Sequence, residues 1–185
     1  KSELVKRVGC VPQKSTLFSG TIESNIRYGN RRASVKLIHE ASKIAQAEEF
    51  IKETEFGYRN PIAQGGQNVS GGQKQRLSIA RALAIDPEIL VFDDSFSALD
   101  LKTDNKLRQA LKKGAKGKTI LIVAQRISTI LDADQIIVLD NGKIVGQGTH
   151  AELMQSSQIY KEIAKSQLSD DELKTIGNTV KKGRK

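Results

Sequence analysis

The segment 68–94 joins a serine-glycine turn to an apolar-periodic helix and then to an apolar strand that ends in two carboxylates. The turn consists of Ser70, Gly71, Gly72 and Gln73. It stands where the helix begins, so unpaired backbone N–H groups and the helix dipole favour an anion, and its glycines let a phosphate approach the backbone closely. The carboxylates, Asp93 and Asp94, follow the strand at the end where α/β sheets place metal and water chemistry. This order predicts a phosphate-binding α/β protein.

Length and composition favour one folded domain. With 185 residues, 38% of them hydrophobic, the chain can bury a core. Its apolar runs, such as 120–124 and 136–139, are far shorter than the roughly 20 residues that span a bilayer, so no membrane-spanning segment is predicted. The single Cys10 excludes a disulfide framework and fits a reducing, cytosolic setting. Because Cys10 lies in an apolar strand pattern, it is predicted to be a small core residue.

The net charge of +9 does not by itself indicate a nucleic-acid partner. Four of these charges lie in the last five residues, which leaves +5 for residues 1–180. Aromatic residues make up only 4% of the chain, and no basic-aromatic interleaving suited to base stacking occurs. We therefore expect a solvated basic end or attraction to an anionic membrane face, and no nucleic acid.

Strand and helix patterns alternate along the chain, which predicts an α/β layer with parallel strands. Strands are predicted at 8–11, 88–94, 119–124, 135–140 and 143–148, the last two joined by an Asn141-Gly142 turn. Helices are predicted at 34–51, from 70 to the stop at Asp86-Pro87, at 100–113 and at 149–165. Their predicted caps are Ser34, Asp100 and a capping box of Thr149 and Glu152. A further short helix at 169–172 and a frayed end at 177–185 complete the prediction.

These motifs resemble, in order, those of the ABC-type ATPases. Residues 70–73 match the family's signature motif, and 89–94 match its Walker B strand. Residues 11–26 are similar to the Q-loop region of ABC exporters more than to that of importers, and 57–66 are similar to the exporter x-loop. The D-loop is matched by Ser97, Ala98, Leu99 and Asp100. The resemblance covers the chain from Val8 to about Lys165.

The resemblance implies a fold and a domain organisation. The fold is the α/β, P-loop NTPase-like ABC ATPase domain, here partial, with parallel core strands, a helical subdomain at about 20–86, and a C-terminal hairpin and helices. Residues 1–168 are assigned to this nucleotide-binding domain. Residues 169–185 are assigned to a C-terminal tail.

The resemblance also implies roles for particular residues, with ATP and Mg²⁺ as cofactors. Gln13 is expected to touch the metal and the attacking water, and Asp93 to bind the metal. Asp94 stands at the position of the catalytic carboxylate, and Gln125 at that of the switch histidine. The signature is expected to bind ATP held by a second nucleotide-binding domain, across an interface that the D-loop crosses. The coupling helices of a transmembrane domain are the other expected partner, at the cytoplasmic face of the cell membrane.

Two departures from the family pattern indicate a division of labour. The family carries a glutamate where this chain has Asp94, and the missing methylene retracts the carboxylate, a misplacement that can cost about 10²-fold in rate. The family carries a histidine where this chain has Gln125, and glutamine cannot change charge or relay a proton. With an intact signature, such a chain resembles the degenerate-site subunit of a heterodimeric, multidrug-type exporter.

A P-loop, the family's phosphate-binding motif, is not found in the sequence. The run 114–119 is superficially similar, but a P-loop would need glycine at the position of Lys112, and it would follow a strand and open a helix. Here the run follows a predicted helix and opens a strand. We therefore expect a domain truncated before the Q-loop, whose P-loop lies upstream of Lys1, and no ATPase activity from this chain alone.

Two other function classes stay open. An ABC ATPase of a nucleic-acid complex shares the signature, but coiled-coil heptads would be expected nearby, and the exporter-like segment 13–26 speaks against it. A non-catalytic module that binds nucleotide only to dimerise would fit the changes at Asp94 and Gln125.

Overall fold

The structure is a computed structural model that describes residues 7–168. The helix predicted at 169–172 and the tail 169–185 lie outside the described residues. Within the described part, every helix is too short or too polar to cross a lipid bilayer. The chain divides into two compact units, one ending at Val123 and the other beginning at Ala124.

The secondary structure alternates as the sequence predicts. The described strands are β1 (Val8–Val11), β2 (Gly20–Thr21), β3 (Pro61–Ile62), β4 (Ile89–Asp93), β5 (Thr119–Val123), β6 (Ile136–Asp140) and β7 (Lys143–Gly148). The described helices are α1 (Ile22–Arg27), α2 (Val35–Ile44), α3 (Glu48–Glu53), α4 (Gly71–Leu83), α5 (Leu101–Gly114), α6 (Ile127–Ile130), α7 (His150–Ser156) and α8 (Gln158–Gln167). Two 3₁₀ turns, Gly57–Arg59 and Gln64–Gly66, lie within the segment 57–66 that is similar to the exporter x-loop.

The first unit is built on a parallel sheet in the order β1-β4-β5, which confirms the predicted parallel strands. Val11 lies opposite Phe92, and Phe92 lies opposite Ile122. Leu90 and Phe92 are fully buried at the centre of this sheet, among residues of α4 and α5. Since parallel neighbours end at the same edge, the loops that follow β1 and β4 emerge side by side.

The prediction that Cys10 is a core residue was wrong. Cys10 is exposed, and its neighbours in register across the sheet are Val91 and then Leu121, which is 53% exposed. Successive strand residues point to opposite faces of a sheet, and the preceding Gly9 and following Val11 are the buried ones. An apolar run in a strand therefore did not reveal which face packs against the helices.

Two predicted helices are each divided in the structure. The segment 34–51 forms α2 and α3, because Gln46 between them adopts a left-handed backbone with φ of +57°. The backbone oxygen of Gln46 accepts a hydrogen bond from Arg76 of α4 at 2.8 Å, so a tertiary contact accompanies the break. The segment 149–165 is divided at Ser157, which caps α8 in an extended conformation. Ser34 caps α2 as predicted.

The second unit contains the antiparallel hairpin β6–β7 and the helices α6, α7 and α8. Asn141 and Gly142 turn the hairpin with φ of +47° and +75°, a left-handed pair that asparagine and glycine adopt readily. The predicted capping box of Thr149 and Glu152 is present at α7. Buried apolar residues, with Leu153 and Tyr160 at their centre, form the core of this unit.

Candidate functional site

The turn of residues 70–73 is held open at the start of α4 by a capping box. The Ser70 Oγ atom accepts the N–H of Gln73 at 3.2 Å, and the Gln73 side-chain oxygen accepts the N–H of Ser70 at 2.9 Å. Gly71 is exposed, and a Cβ atom built there would have no heavy atom within 4 Å. This turn therefore combines a rigid backbone with an accessible helix N-terminus, the arrangement that favours a phosphate.

The segment Ser97–Asp100 lies beside this turn. A Cβ atom built on Gly72 would lie 3.6 Å from the backbone oxygen of Ala98, and Leu99 of the same segment is buried. Asp100 caps α5, because its carboxylate accepts the N–H of Thr103 at 2.9 Å. That backbone hydrogen bond is the main cause of the lowered pKa of Asp100. The structure thus brings the matched D-loop and signature residues together.

Gln13 and Asp94 meet at the carboxyl ends of β1 and β4. The Gln13 Nε2 atom donates a hydrogen bond to Asp94 Oδ2 at 3.1 Å. Asp94 has a φ of +43°, its N–H donates to the backbone oxygen of Val123 at 2.9 Å, and its own backbone oxygen accepts from Ser97 Oγ at 2.8 Å. A left-handed residue other than glycine is uncommon and often occurs at functional sites. The structure therefore joins two of the three predicted catalytic residues.

The residues predicted to bind a metal offer oxygen atoms suited to Mg²⁺. Asp93 ends β4 and is exposed. Since Gln13 uses its amide nitrogen to bind Asp94, its Oε1 atom is the one that it can offer to a cation. Within residues 7–168, no group of three or more His, Cys, Asp or Glu residues could hold a metal alone. One carboxylate and one amide oxygen fit Mg²⁺ that takes its other ligands from water and phosphate.

Gln125 lies in the second unit and is exposed. Its backbone oxygen accepts a hydrogen bond from Gln167 Nε2 at 2.8 Å, and Gln167 Oε1 accepts the N–H of Ile127 at 2.8 Å. Gln167, at the end of α8, therefore fixes the backbone around Gln125. The role of Gln125 beside the nucleotide stays a prediction.

Two buried polar residues beside the site were missed by the sequence reasoning. Ser95 is fully buried, and its Oγ atom donates to the backbone oxygen of Val11 at 2.7 Å, which holds the end of β1 against β4. Gln75 is 2% exposed and contacts the segment that contains Gln13. Gln75 could have been noticed, because it stands four residues before the buried Ile79 and so lies on the apolar face of α4.

An aromatic pair lies on the surface near the same segment. The rings of Phe18 and Tyr28 stack with centroids 4.4 Å apart, although the side chains are 43% and 59% exposed. The Arg81 guanidinium lies 5.3 Å and 5.8 Å from these two rings, and burial lowers its pKa. The Asn25 side chain accepts a hydrogen bond from the backbone N–H of Phe18 and donates one to the backbone oxygen of Phe18. The pair is therefore held rigidly while remaining accessible.

Comparisons with known proteins agree with this geometry. A family model described as ABC transporter matches residues 1–97, just over half of the chain. The ABC transporter ATP-binding protein YfiB of Bacillus subtilis is 49% identical over 164 residues, which are 89% of this chain and 28% of YfiB. A protein of Rickettsia conorii named as an export ATP-binding/permease protein is 44% identical over 168 residues, 91% of this chain and 29% of its own length.

A solved structure of a bacterial Atm1-family ABC exporter with ATP bound superimposes with a TM-score of 0.84 at 38% sequence identity. The superposition covers 89% of this chain and 29% of the exporter chain. The present chain therefore spans less than a third of the length of these relatives. The fold, the ordered motifs and the match over residues 1–97 lead to one conclusion: this chain belongs to the ABC transporter family and has the mixed α/β fold of an ABC ATPase domain.

Proposed function

We propose that this chain is part of the ATP-binding and ATP-hydrolysing subunit of an ABC exporter, at the cytoplasmic face of a membrane. The observation that carries this proposal is the hydrogen bond from Gln13 to Asp94, because it joins the two residues expected to contact the attacking water. The names of the Rickettsia relative and of the Atm1-family structure, which refer to export, support the transport assignment.

The proposed chemistry is phosphoryl transfer from ATP to water. Asp94 accepts a hydrogen bond from the attacking water, and Gln13 keeps the Asp94 carboxylate in one orientation. Asp93 and the Gln13 Oε1 atom would hold Mg²⁺, which when bound would supply positive charge beside the phosphates of ATP. The amide side chain of Gln125 can donate a hydrogen bond, but it carries no charge and does not titrate. Gln125 therefore contributes no proton transfer.

The signature residues act on ATP held by a partner nucleotide-binding domain. Support comes from the exposed N-terminus of α4, where Gly71 leaves open space for a phosphate, and from the D-loop segment beside Gly72. In a head-to-tail pair of such domains, each signature completes the nucleotide site of the other chain. A phosphate there would receive backbone N–H groups and the positive end of the helix dipole.

The partner is proposed to be a different chain, so that the pair is a heterodimer with one slow site and one fast site. The retracted carboxylate of Asp94 and the uncharged Gln125 weaken hydrolysis at this chain's own site. The capping box of Ser70 and Gln73 leaves the signature intact, so the partner's site stays competent. The resemblance to the degenerate-site subunit of a heterodimeric, multidrug-type exporter implies the same pair of unequal sites.

The aromatic pair is proposed to contact a coupling helix of the transmembrane domain. Phe18 and Tyr28 are exposed yet ordered by Asn25 and Arg81, so they offer apolar area with little loss of side-chain freedom on binding.

The test compares two variants of this chain in the purified, assembled transporter. Asp94→Asn removes the carboxylate of the slow site and should change steady-state ATPase activity little. Gly71→Asp puts a negative charge at the signature and should remove most activity, because the charge opposes the γ-phosphate at the fast site. Because a Cβ atom at Gly71 meets no heavy atom within 4 Å, Gly71→Asp should fold normally, which a thermal melt checks.

Three outcomes distinguish the alternatives. A small loss from Asp94→Asn with a large loss from Gly71→Asp supports one slow and one fast site. Near-complete loss from both variants indicates two equivalent catalytic sites and overturns the division of labour. No loss from either variant contradicts the proposed part of this chain in hydrolysis. ATP-dependent dimerisation without any wild-type ATPase activity favours a module that binds nucleotide only to dimerise.

A further inference from the structure

Gln75 of α4 binds the chain on both sides of Gln13. Its side-chain oxygen accepts a hydrogen bond from Ser15 Oγ at 2.5 Å, and its Nε2 atom donates to the backbone oxygen of Pro12 at 3.4 Å. Pro12 directly precedes Gln13, and Ser15 follows it by two residues. The amide of Gln75 therefore straddles the one residue of this segment that reaches Asp94.

The attachment is firm because Gln75 is buried on a rigid helix. Gln75 is only 2% exposed, and burying an amide is costly unless both of its ends are hydrogen-bonded. Helix α4 is 13 residues long, and its buried Leu77 and Ile79 belong to the core of the first unit. The position of Gln75 therefore follows the position of α4.

A second side chain of α4 reinforces this attachment. Arg81 donates to the backbone oxygens of Thr16 and Asn25, each at 2.9 Å. Leu17 of the same segment is 1% exposed, and its Cδ1 atom would lie 3.1 Å from a Cβ atom built on Gly66, just before the signature. The segment 12–25 is therefore held by α4 and by the chain that precedes α4, and among these contacts the one made by Gln75 is nearest to Gln13.

We propose that Gln75 is a positioning residue that couples the two nucleotide sites of the assembled transporter. It ties Gln13, which serves this chain's own site, to the helix whose N-terminus carries Ser70–Gln73 and serves the partner's site. When the signature binds the partner's ATP, a displacement of α4 thus shifts Gln13 relative to Asp94. In return, binding of ATP at this chain's own site beside Gln13 shifts the signature through α4. This inference rests on the proposed function, since it requires two sites.

The coupling predicts cooperative use of ATP. Binding at one site changes affinity at the other by the same factor in both directions, typically about fivefold or more for coupled sites. The assembled wild-type transporter should therefore hydrolyse ATP with a Hill coefficient above one. Gln75→Met keeps the length of the side chain but replaces the amide with an apolar group and removes both hydrogen bonds, so it should bring the Hill coefficient to one while turnover at saturating ATP persists.

A variant on the other side of the bond keeps the proposal testable if Gln75→Met folds poorly. Ser15→Ala removes the other end of the 2.5 Å hydrogen bond on a half-buried loop residue and should also abolish cooperativity. The double variant Gln75→Met with Ser15→Ala should behave like Gln75→Met alone, because Gln75→Met already removes the bond to Ser15. Ser78→Ala is the control, because Ser78 is a buried polar residue of the same helix whose side chain makes no hydrogen bond to the described segment 12–25, and it should keep wild-type cooperativity.

The outcomes separate this inference from the proposed function. Loss of cooperativity in both single variants, with cooperativity kept in Ser78→Ala, supports the coupling. A wild-type Hill coefficient of one, or cooperativity that survives both single variants, overturns the coupling while leaving the ATPase assignment intact. Absence of ATPase activity in the wild-type transporter contradicts the proposed function itself.

Discussion

Gln13 and Asp94 are 81 residues apart in the chain, yet their side chains are joined by a 3.1 Å hydrogen bond. They meet because β1 and β4 are parallel neighbours that end at one edge of the sheet. Ser95 strengthens this arrangement by binding the last residue of β1 through its buried hydroxyl. The local order of the site therefore depends on the β1–β4 pairing as much as on the motif that contains Asp94.

The backbone of Asp94 gives the first prediction. At a φ of +43°, a side chain other than that of Gly, Asn or Asp costs roughly 1–2 kcal/mol, so Asp94→Ala should be less stable than Asp94→Gly by about 1 kcal/mol. Asp93 is the matched control, because it lies in β4, where glycine is the less stable choice. Urea unfolding of Asp94→Ala, Asp94→Gly, Asp93→Ala and Asp93→Gly measures the difference in free energy of unfolding between alanine and glycine at each position. The same order of Gly and Ala at both positions would contradict the role of the left-handed backbone.

Gly9 gives the second prediction, which concerns packing. A Cβ atom there would lie 2.9 Å from the backbone oxygen of Ala82 and 2.9 Å from Pro87 Cγ. Because a backbone oxygen cannot move aside easily, Gly9→Ala should destabilise the protein by about 1–3 kcal/mol. Gly71→Ala is the control, since its Cβ meets nothing within 4 Å. Equal melting temperatures for the two variants would rule out the tight contact between β1 and the end of α4.

Ser95 and Ser97 form a matched pair for the third prediction. Both hydroxyls donate to a backbone oxygen, at 2.7 Å to Val11 and at 2.8 Å to Asp94, but Ser95 is buried and Ser97 is exposed. Ser95→Ala leaves a buried acceptor without its hydroxyl partner and should cost about 1–3 kcal/mol, whereas Ser97→Ala should cost less than about 1 kcal/mol, because water can replace the bond. Chemical denaturation of both variants is the measurement. A larger loss from Ser97→Ala would argue against the clamp at Ser95.

His150 gives the fourth prediction, a dependence of stability on pH. Burial lowers the pKa of His150 below its usual value of 6.5, and its Nδ1 atom lies 2.8 Å from the hydroxyl of Tyr160. Burial also raises the pKa of Tyr160 to about 12, so that hydroxyl stays protonated. Between the lowered pKa and 6.5, the unfolded state binds more protons than the folded state, so stability falls as the pH drops through this window.

The measurement for His150 is the free energy of unfolding between pH 8 and pH 5 in the wild type and in His150→Gln. The variant keeps a side chain that can accept from Tyr160 but does not titrate, so its loss of stability at low pH should be smaller. The control, His39→Gln, changes the other histidine of the chain and should leave the contribution of His150 in place. An unchanged pH dependence in His150→Gln would show that His150 does not cause it.

Features that depend on neighbouring residues could be predicted from the sequence. The capping box at Thr149, the helix starts at Ser70 and Asp100 and the turn at Asn141 were predicted, because caps and hairpin turns are set by residues within a few positions of one another. The parallel strands followed from the alternation of strand and helix patterns, and the family resemblance followed from the order of the motifs.

Features that depend on distant partners became apparent only in the folded chain. The exposure of Cys10 depends on which face of the sheet the helices cover, and the break at Gln46 coincides with a bond from Arg76, 30 residues away. Gln75 meets its partners from 60 and 63 residues away, so its spacing in the sequence carries no trace of them. Local patterns specify local geometry, whereas the contacts that orient Gln13 arise only when the chain has folded and brought these segments together.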